Sequence, residues 1–134
     1  MIPQFDENGQ LPPGIHRATL DEVVARFGHG SEEREAQGQS LAWLIPMCRR
    51  AGVLRLILNG SFVTSRAEPM DVDCLLVPTS DADPDSDAFL AIRIGLPYLS
   101  IQIVADEREL SYYVDRLFAT DRTGRAKGLV EVIL

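Results

Sequence analysis

The chain has 134 residues, a length typical of a single domain, and 46% of them are hydrophobic and 25% charged, as in ordinary globular proteins. No apolar run is long enough to span a membrane and no signal-peptide pattern opens the chain, so we expect neither feature. Twenty acidic and thirteen basic residues give a net charge of −7, which argues against a broad surface for duplex nucleic acid and leaves room for a local basic groove.

The two cysteines, Cys48 and Cys74, lie far apart and inside separate apolar runs. Cysteine in such a setting behaves as a small hydrophobic residue. We therefore expect two buried free thiols in a reducing compartment, the cytoplasm, rather than a disulfide or a zinc site.

The N-terminal part is predicted to be an arm followed by a short helix. Residues 1–18 hold three prolines and two glycines without a period, which predicts an extended arm that packs on the domain. Thr19 and Glu22 have the spacing of a capping box, so a helix is predicted over 20–27, with Gly28 at its end.

A second, longer helix is predicted between the cap residue Ser31 and Gly52, because apolar residues recur there at helical spacing. Pro46 lies inside this range and would remove one backbone hydrogen bond. We expect a kink at this proline, or two helices with Pro46 in the first turn of the second.

Three strands are predicted in the middle of the chain. Apolar runs over 54–58 and 72–77 are short enough to be strands, and residues 98–104 alternate between apolar and polar side chains. Asp83-Pro84 is typical of a helix start, and Gly95 would end that helix.

The C-terminal third opens at Asp106, which has the capping-box spacing to Glu109, and apolar residues at helical spacing follow up to Phe118. A turn, "TDRTGR", and a closing strand, "GLVEVIL", complete the chain. The predicted order is helix, helix, strand, strand, helix, strand, helix, strand. We therefore expect one α+β domain over 1–134, with a small mixed β-sheet flanked by helices.

Two aspartates stand at the start of the second predicted strand. Asp71 and Asp73 are one residue apart, so strand alternation points both to one face, about 7 Å apart along the strand. Such carboxylates repel each other unless a cation lies between them, and Mg²⁺ takes one or two carboxylates while keeping other positions for water and phosphate. We therefore expect both to be catalytic ligands of Mg²⁺. The alternative is a hairpin whose aspartates are only solvated.

A phosphate-binding element is predicted at Gly60-Ser61, where the preceding strand ends. Glycine lets the backbone approach a phosphate closely, and backbone N–H groups and the serine hydroxyl can hold its oxygens. If the two strands pair, this element meets the two aspartates. Phosphoryl and nucleotidyl transfer need both parts, a phosphate cradle and a metal that neutralises developing charge.

The pattern of Gly60-Ser61, nine residues and then Asp71-Val72-Asp73 resembles the signature of the DNA polymerase β-like nucleotidyltransferase superfamily. The stretches "LPPGIHRATLDEVVARFG", "NGSFVTSRAEPMDVD" and "FATDRTGRAKGLVEVIL" resemble an uncharacterised prokaryotic family of nucleotidyltransferase-like proteins, related to the minimal nucleotidyltransferases. The resemblance implies a nucleotidyltransferase-like fold. It also implies that the glycine and serine bind the phosphates of a nucleoside triphosphate and that the two aspartates bind Mg²⁺.

The sequence departs from that signature in two places. Asn59 directly precedes the glycine, so the expected apolar residue stands one position earlier. The superfamily also has a third carboxylate on a later strand, where the strand over 98–104 offers Ser100 and Gln102 on its polar face. Without that acid, one metal would be poorly held and the attacking hydroxyl would lack a base. The remaining candidates for the third acid are Asp106 and Glu131.

Basic residues cluster before the last strand, at Arg122, Arg125 and Lys127, where they are placed to contact a triphosphate or RNA. The alternative is a hairpin turn with solvated charges. Arg66 lies between the two halves of the motif and is either in reach of a phosphate or a solvated loop charge. We take Arg66 and Lys127 as the candidates for phosphate binding.

The acidic stretch "DADPDSD" has aspartates at alternate positions, as a calcium-binding loop does. Such a loop needs Gly at its sixth position and Glu at its twelfth, which are Ser86 and Ile92 here. A solvated acidic turn before a helix is the better interpretation.

Two hypotheses of function follow from the sequence. The first is a nucleotidyltransferase-like protein that transfers a nucleotidyl group from a Mg²⁺-bound nucleoside triphosphate to a hydroxyl acceptor. The second is a catalytically degenerate module of the same fold that binds a helical partner protein, as an antitoxin-like module beside a toxin would. The missing third acid motivates the second hypothesis.

Overall fold

One mixed sheet is formed by five strands: β1 Gly14–Ala18, β2 Val53–Asn59, β3 Val72–Pro78, β4 Leu99–Ile103 and β5 Gly128–Val132. Their spatial order is β1-β5-β2-β3-β4. The central strand β2 is antiparallel to β3 and β5, whereas β1 is parallel to β5 and β4 is parallel to β3. The computed structural model describes residues 1–118, 120 and 123–134.

The described residues include four α-helices: α1 Leu20–Phe27, α2 Glu32–Ala51, α3 Asp87–Ile94 and α4 Glu107–Tyr113. A π-helical segment, Val114–Phe118, continues α4, and a short 3₁₀ turn, Ser61–Val63, follows β2. The predicted α+β class, a small mixed sheet with helices, is confirmed. None of the helices in the described ranges is long and apolar enough to cross a membrane.

Three predicted N-caps are present, at Thr19, Ser31 and Asp106. The Glu22 N–H donates to Oγ1 of Thr19 at 3.1 Å, and the Thr19 N–H donates to Oε1 of Glu22 at 3.1 Å, which together form the predicted capping box. At the start of α4, Oδ1 of Asp106 accepts from the Glu109 N–H at 2.9 Å. These caps could be predicted because a cap needs only residues within one turn.

Helix α2 runs through Pro46 as one element from Glu32 to Ala51, so the alternative of two separate helices is wrong. Pro46 leaves the carbonyl of Ala42 without its intrahelical donor. Both residues are exposed, so water can hydrate that carbonyl. The buried residues on the opposite side of the helix therefore hold it together across the proline.

Strand β1 was not predicted, because residues 14–18 were expected to belong to the extended arm. Gly14–Ala18 pairs in parallel with β5, with Gly14 opposite Gly128. The sequence "GIHRA" has little apolar alternation, and four of its five residues are exposed or half-buried. Its hydrogen-bonding partner lies more than one hundred positions further along the chain, so no local pattern predicts the strand.

The predicted start of α3 at Asp83-Pro84 is wrong, since the helix begins at Asp87. The Asp83 carboxylate instead accepts from the Asp85 N–H at 2.9 Å and forms a turn. Ser86 is the N-cap, with Oγ accepting from the Phe89 N–H at 3.2 Å. The end of the helix at Gly95 was predicted and is confirmed.

The two faces of the sheet carry separate apolar clusters, as strand alternation requires. On one face, Leu58 and Cys74 pack with buried residues of α1, α2 and α3. On the other face, Ile57 and Leu75 pack with Leu110 of α4. The chain therefore has three layers, with the sheet between α1, α2 and α3 on one side and α4 on the other. The face that α4 covers also carries Asn59 of β2 and Asp73 of β3.

Both cysteines are free and buried, as predicted. Burial raises the pKa of Cys48 to about 12 and raises the pKa of Cys74 well above its ordinary value. A thiol with such a raised pKa is a poor nucleophile and metal ligand at neutral pH.

Candidate functional site

A row of three polar side chains crosses the sheet at the start of β3. Asn59 of β2 is opposite Asp73 of β3, and Asp73 is beside Ser100 of β4. Asn59 follows Ile57 by two positions on β2, and Asp73 precedes Leu75 by two positions on β3. Strand alternation therefore places both on the same face as Ile57 and Leu75, where α4 packs. The predicted pairing of the two motif strands is confirmed, and it brings Asn59-Gly60 next to Asp73.

A cleft of about 740 Å³ opens over Asn59 and Asp73 of this row. Its lining includes all six residues that the sequence predicted for the site: Gly60, Ser61, Arg66, Asp71, Asp73 and Lys127. The two halves of the motif therefore meet in one cavity. Their roles in binding phosphate and metal remain predictions.

Gly60 allows the chain to turn directly over the Asp73 carboxylate. Its φ is +82° and its ψ −167°, a conformation that residues with a Cβ rarely adopt. A Cβ at this position would collide with Oδ2 of Asp73. Two separate requirements, the backbone conformation and the close approach, therefore select glycine here.

Ser61 begins the 3₁₀ turn that follows. Its carbonyl accepts from the Thr64 N–H at 3.2 Å and from the Thr64 hydroxyl at 2.6 Å, which closes the turn. Phe62 and Val63 are buried and anchor the turn in the larger core. The half-buried serine is thereby fixed at the cleft wall beside Gly60.

Arg34 of α2 holds the loop after the turn, a role that the sequence pattern had not revealed. It is only 7% exposed, and its guanidinium donates five hydrogen bonds to backbone carbonyls. The acceptors are the carbonyls of Phe27 (3.0 Å), Phe62 (2.9 Å), Thr64 (2.8 Å) and Arg66 (3.1 Å from Nε, with a second bond from Nη2). One side chain thus fixes most of the segment between the two motif halves.

Two further polar residues of α2 continue this clamp. Nε2 of Gln37 donates to the Pro69 carbonyl at 2.6 Å, and the Ser40 hydroxyl donates to the Pro97 carbonyl at 2.9 Å. With Arg34 they form a buried polar stripe that is continuous with the apolar stripe of the helix. Extending the apolar spacing backwards from Leu41 by four and seven residues reaches Gln37 and Arg34, a signal that could have identified them.

Asp73 has a carboxyl group with a raised pKa. Burial is the main cause and the neighbouring charge of Asp71 adds to it, whereas the charge of Lys127 and hydrogen bonding with Ser100 lower the pKa. A cation bound between the aspartates would favour the ionised form. The electrostatics of the site therefore favour a bound positive charge.

The basic residues that line the cleft come from two separate segments of the chain. Arg66 is exposed on the loop that Arg34 holds, and Lys127 directly precedes β5. Lys127 lies near enough to Asp73 to lower its pKa. Within the described ranges, Arg125 is exposed and is not among the residues that line the cleft. Arg122 lies outside the described residues.

The N-terminal arm contributes a wall of the cleft that the sequence did not indicate. Asn8, Gly9 and Gln10 line it together with the motif residues. The Asp6 carboxylate fixes this turn by accepting from the N–H groups of Asn8 at 2.8 Å and Gln10 at 3.0 Å. The Ser65 N–H donates to the Gly9 carbonyl at 3.0 Å, so the arm and the loop are joined at the cleft edge.

Neither candidate for the third carboxylate is among the described residues that line the cleft with Asp71 and Asp73. Glu131 forms an ion pair with Arg55 at 2.6 Å and is separated from β3 by the intervening strand β2. Asp106 caps α4 beyond the far end of β4, whereas Ser100 beside Asp73 lies near the beginning of that strand. Across residues 1–118, 120 and 123–134, no group of three or more His, Cys, Asp or Glu is placed to hold a metal ion.

A protein-family model matches residues 3–133, which include every described residue of the cleft. The model is that of the family of unknown function DUF6932. The chain belongs to the DUF6932 family. No curated protein and no solved structure matches the chain.

The cleft of this DUF6932 chain fits a hard divalent cation by three observations. Asp71 and Asp73 offer carboxylate oxygens to the same space. Gly60 leaves free the volume next to Asp73 that any larger residue would fill. Oδ1 of Asn59 is buried and has no hydrogen-bond partner in the part of the chain that the structure describes. Carboxylate and amide oxygens are ligands that hard divalent cations accept, and the described lining contains no cysteine or histidine.

Proposed function

We propose that this chain is a nucleotidyltransferase-like protein of the cytoplasm that acts on a Mg²⁺-bound nucleoside triphosphate and a hydroxyl acceptor. The observation that carries the proposal is that Gly60-Ser61 and Asp71/Asp73 line one cleft. The resemblance to the DNA polymerase β-like superfamily supports the same function. The net charge of −7 favours a small or single-stranded acceptor over duplex nucleic acid.

Each residue has a distinct part in this proposal. Asp71 and Asp73 hold Mg²⁺, which when bound neutralises charge on the phosphates. Gly60 lets the phosphates lie against the backbone, and the Ser61 hydroxyl donates to a phosphate oxygen. Lys127 and Arg66 offset the remaining negative charge.

The transfer is a single displacement at the α-phosphorus. The acceptor oxygen forms the new bond to phosphorus, the bond to the leaving oxygen breaks, and pyrophosphate departs. Because Ser100 rather than a carboxylate stands beside Asp73 on β4, the hydroxyl proton passes to solvent water. We therefore expect slow transfer, since general-base assistance is typically worth about 10²–10⁴-fold in rate.

The test is transfer of an α-phosphate label from each of the four common nucleoside triphosphates in the presence of Mg²⁺, using the full chain and broad protein, RNA and small-molecule acceptors. Asp73→Asn should reduce transfer at least tenfold. Asp81→Asn, an exposed aspartate outside the cleft lining, is the matched control and should behave as wild type. Equal labelling by wild type and Asp73→Asn, or no labelling with any nucleotide, would count against the proposal.

A second candidate is a degenerate, antitoxin-like module that binds a helical partner protein. Two contacts favour this second candidate: Glu131 forms an ion pair with Arg55, and Asp106 caps α4. Both candidates for a third catalytic acid therefore have structural roles instead. Co-expression with the product of a neighbouring reading frame tests this candidate. A stoichiometric complex that survives Asp73→Ala supports it, whereas a Mg²⁺–nucleotide complex that is lost in that variant counts against it.

A further inference from the structure

Asn59 is a buried amide with an unsatisfied oxygen at the base of the cleft. The residue is 4% exposed, and its Oδ1 has no hydrogen-bond partner within the described residues. Buried polar atoms in native proteins nearly always have a partner, so an orphaned amide oxygen needs a reason. Oε1 of Gln37 is also without a partner among the described residues, but Gln37 does not line the cleft, so it is the place of Asn59 in the cleft lining that points to a ligand.

The position of Asn59 shows which ligand is suitable. Asn59 is directly opposite Asp73 across the β2–β3 pair, where facing side chains are about 5 Å apart. Both residues line the main cleft, and both line a smaller adjoining cavity of about 120 Å³ that extends to Ser100. The amide and the carboxylate therefore face the same space.

The groups around that space favour a cation over a neutral hydrogen-bond donor. An amide oxygen and two carboxylates, those of Asp71 and Asp73, are all acceptors, and they face one cleft. A neutral donor would satisfy one of them, whereas a divalent cation coordinates all three at once.

We propose that Asn59 supplies the third protein oxygen of a site for a hard divalent cation, together with Asp71 and Asp73. This inference rests on the proposed metal-dependent function and deepens it, because it replaces the absent third carboxylate by a neutral amide. The donor set consists only of oxygen atoms, so the cation belongs to the Mg²⁺ and Mn²⁺ class rather than to the zinc class. A site with two carboxylates instead of three binds the free cation weakly and binds it better when nucleotide phosphates add their charge.

Direct Mn²⁺ binding to the full chain tests this assignment without relying on catalysis. The electron paramagnetic resonance signal of free Mn²⁺ reports binding in the absence of nucleotide. With a nucleoside triphosphate, which itself binds Mn²⁺, the titration is compared with the same mixture without protein. Asn59→Leu keeps the size of the side chain and removes the oxygen, and we expect it to weaken Mn²⁺ binding about tenfold or more. Asn59→Asp restores an oxygen with added charge and should bind at least as tightly as wild type. Asp81→Asn is the control and should not change binding.

Thermal unfolding in the absence of divalent cations separates this role from a structural one. Asn59→Leu removes a buried oxygen without a partner, so the variant should be at least as stable as wild type. A metal ligand therefore shows opposite signs in the two measurements, with lower Mn²⁺ affinity and unchanged or higher thermal stability. A fall in both would overturn the assignment, because it indicates a residue needed for the fold.

The outcomes distinguish this inference from the proposed activity. Equal Mn²⁺ binding by wild type and Asn59→Leu, with binding lost in Asp73→Asn, would overturn the role of Asn59 and leave the transferase proposal standing. Weakened binding in Asn59→Leu without label transfer by wild type would support the site and count against the activity. If wild type binds no Mn²⁺ with or without nucleotide, both fail.

Discussion

Gly60 has a positive φ and lies against the Asp73 carboxylate of the candidate site. Its positive φ and its contact with Asp73 are separate demands, and a second glycine allows them to be measured apart. Gly124 has a φ of +84°, and a Cβ added there would have no described atom within 4 Å, so a substitution at Gly124 meets the conformational demand alone.

We predict that Gly60→Ala lowers the free energy of unfolding by more than Gly124→Ala does. The conformational term alone is worth about 1–3 kcal/mol for a residue with a Cβ in such a region. The collision with Asp73 adds to it in Gly60→Ala and is absent in Gly124→Ala. Urea unfolding of both variants measures the difference. Equal losses would contradict the prediction that the conformation and contact of Gly60 together cost more than the positive φ of Gly124.

Asp73 is expected to destabilise the fold at neutral pH when no cation is bound. Burial and the charge of Asp71 raise the pKa of its carboxyl group in the folded state. A group with a raised folded pKa stabilises the fold fully below its unfolded pKa of about 3.9, and that contribution is lost as the pH rises through the folded pKa.

We therefore predict that Asp73→Asn is more stable than wild type near neutral pH and that this advantage disappears towards pH values of about 4 and below. Excess Mg²⁺ should narrow or reverse the difference, because cation binding stabilises only the wild type. Urea unfolding across this pH range, with and without Mg²⁺, measures both effects. A variant that is less stable than wild type throughout would contradict the account of the Asp73 environment.

Helix α2 is the element that shapes the site, although none of its residues is among those that line the cleft. Arg34, Gln37 and Ser40 bind carbonyls of the two loops that precede β3 and β4. A guanidinium suits this task because its five N–H donors have fixed directions, whereas a lysine has one ammonium group. The loop between the two halves of the motif is therefore held by Arg34, which precedes it in the sequence by more than twenty residues.

We predict that Arg34→Met lowers the free energy of unfolding by about 3 kcal/mol or more, because four backbone carbonyls lose charged donors. Arg49→Met in the same helix is the matched control, since Arg49 is exposed, and should change stability by no more than about 0.5 kcal/mol. Equal effects of the two substitutions in urea unfolding would contradict the clamp.

The elements that the sequence predicted well are those whose signals are local. The capping box at Thr19, the glycine ends of α2 and α3 and the alternation in β4 each involve neighbours within one or two turns. Strand β1 failed because its partner β5 lies at the other end of the chain. The start of α3 failed because Asp83 and Ser86 are both residues that favour the N-cap position. In the structure Asp83 closes a turn with the Asp85 N–H, and Ser86 caps the helix.

In the candidate site, too, features with a local sequence signal were predicted and features that depend on distant contacts were not. The spacing of glycine, serine and two aspartates predicted residues that do meet in one cleft. The sequence did not predict the wall formed by the N-terminal arm, the clamp of Arg34 or the orphaned amide of Asn59. Helical spacing could have identified Arg34 as a buried residue of α2, but the contacts that give these three features their roles join segments that are distant in sequence.

The central claim is that the cleft binds a nucleoside triphosphate together with a divalent cation through Asp73. The most direct test is calorimetric titration of each common nucleoside triphosphate into the full chain with Mg²⁺ present, comparing wild type with Asp73→Asn and with the control Asp81→Asn. The account predicts saturable binding of at least one nucleotide by wild type and by Asp81→Asn, and binding at least tenfold weaker in Asp73→Asn. Binding of equal strength in wild type and Asp73→Asn, or no binding of any nucleotide by wild type, would contradict it.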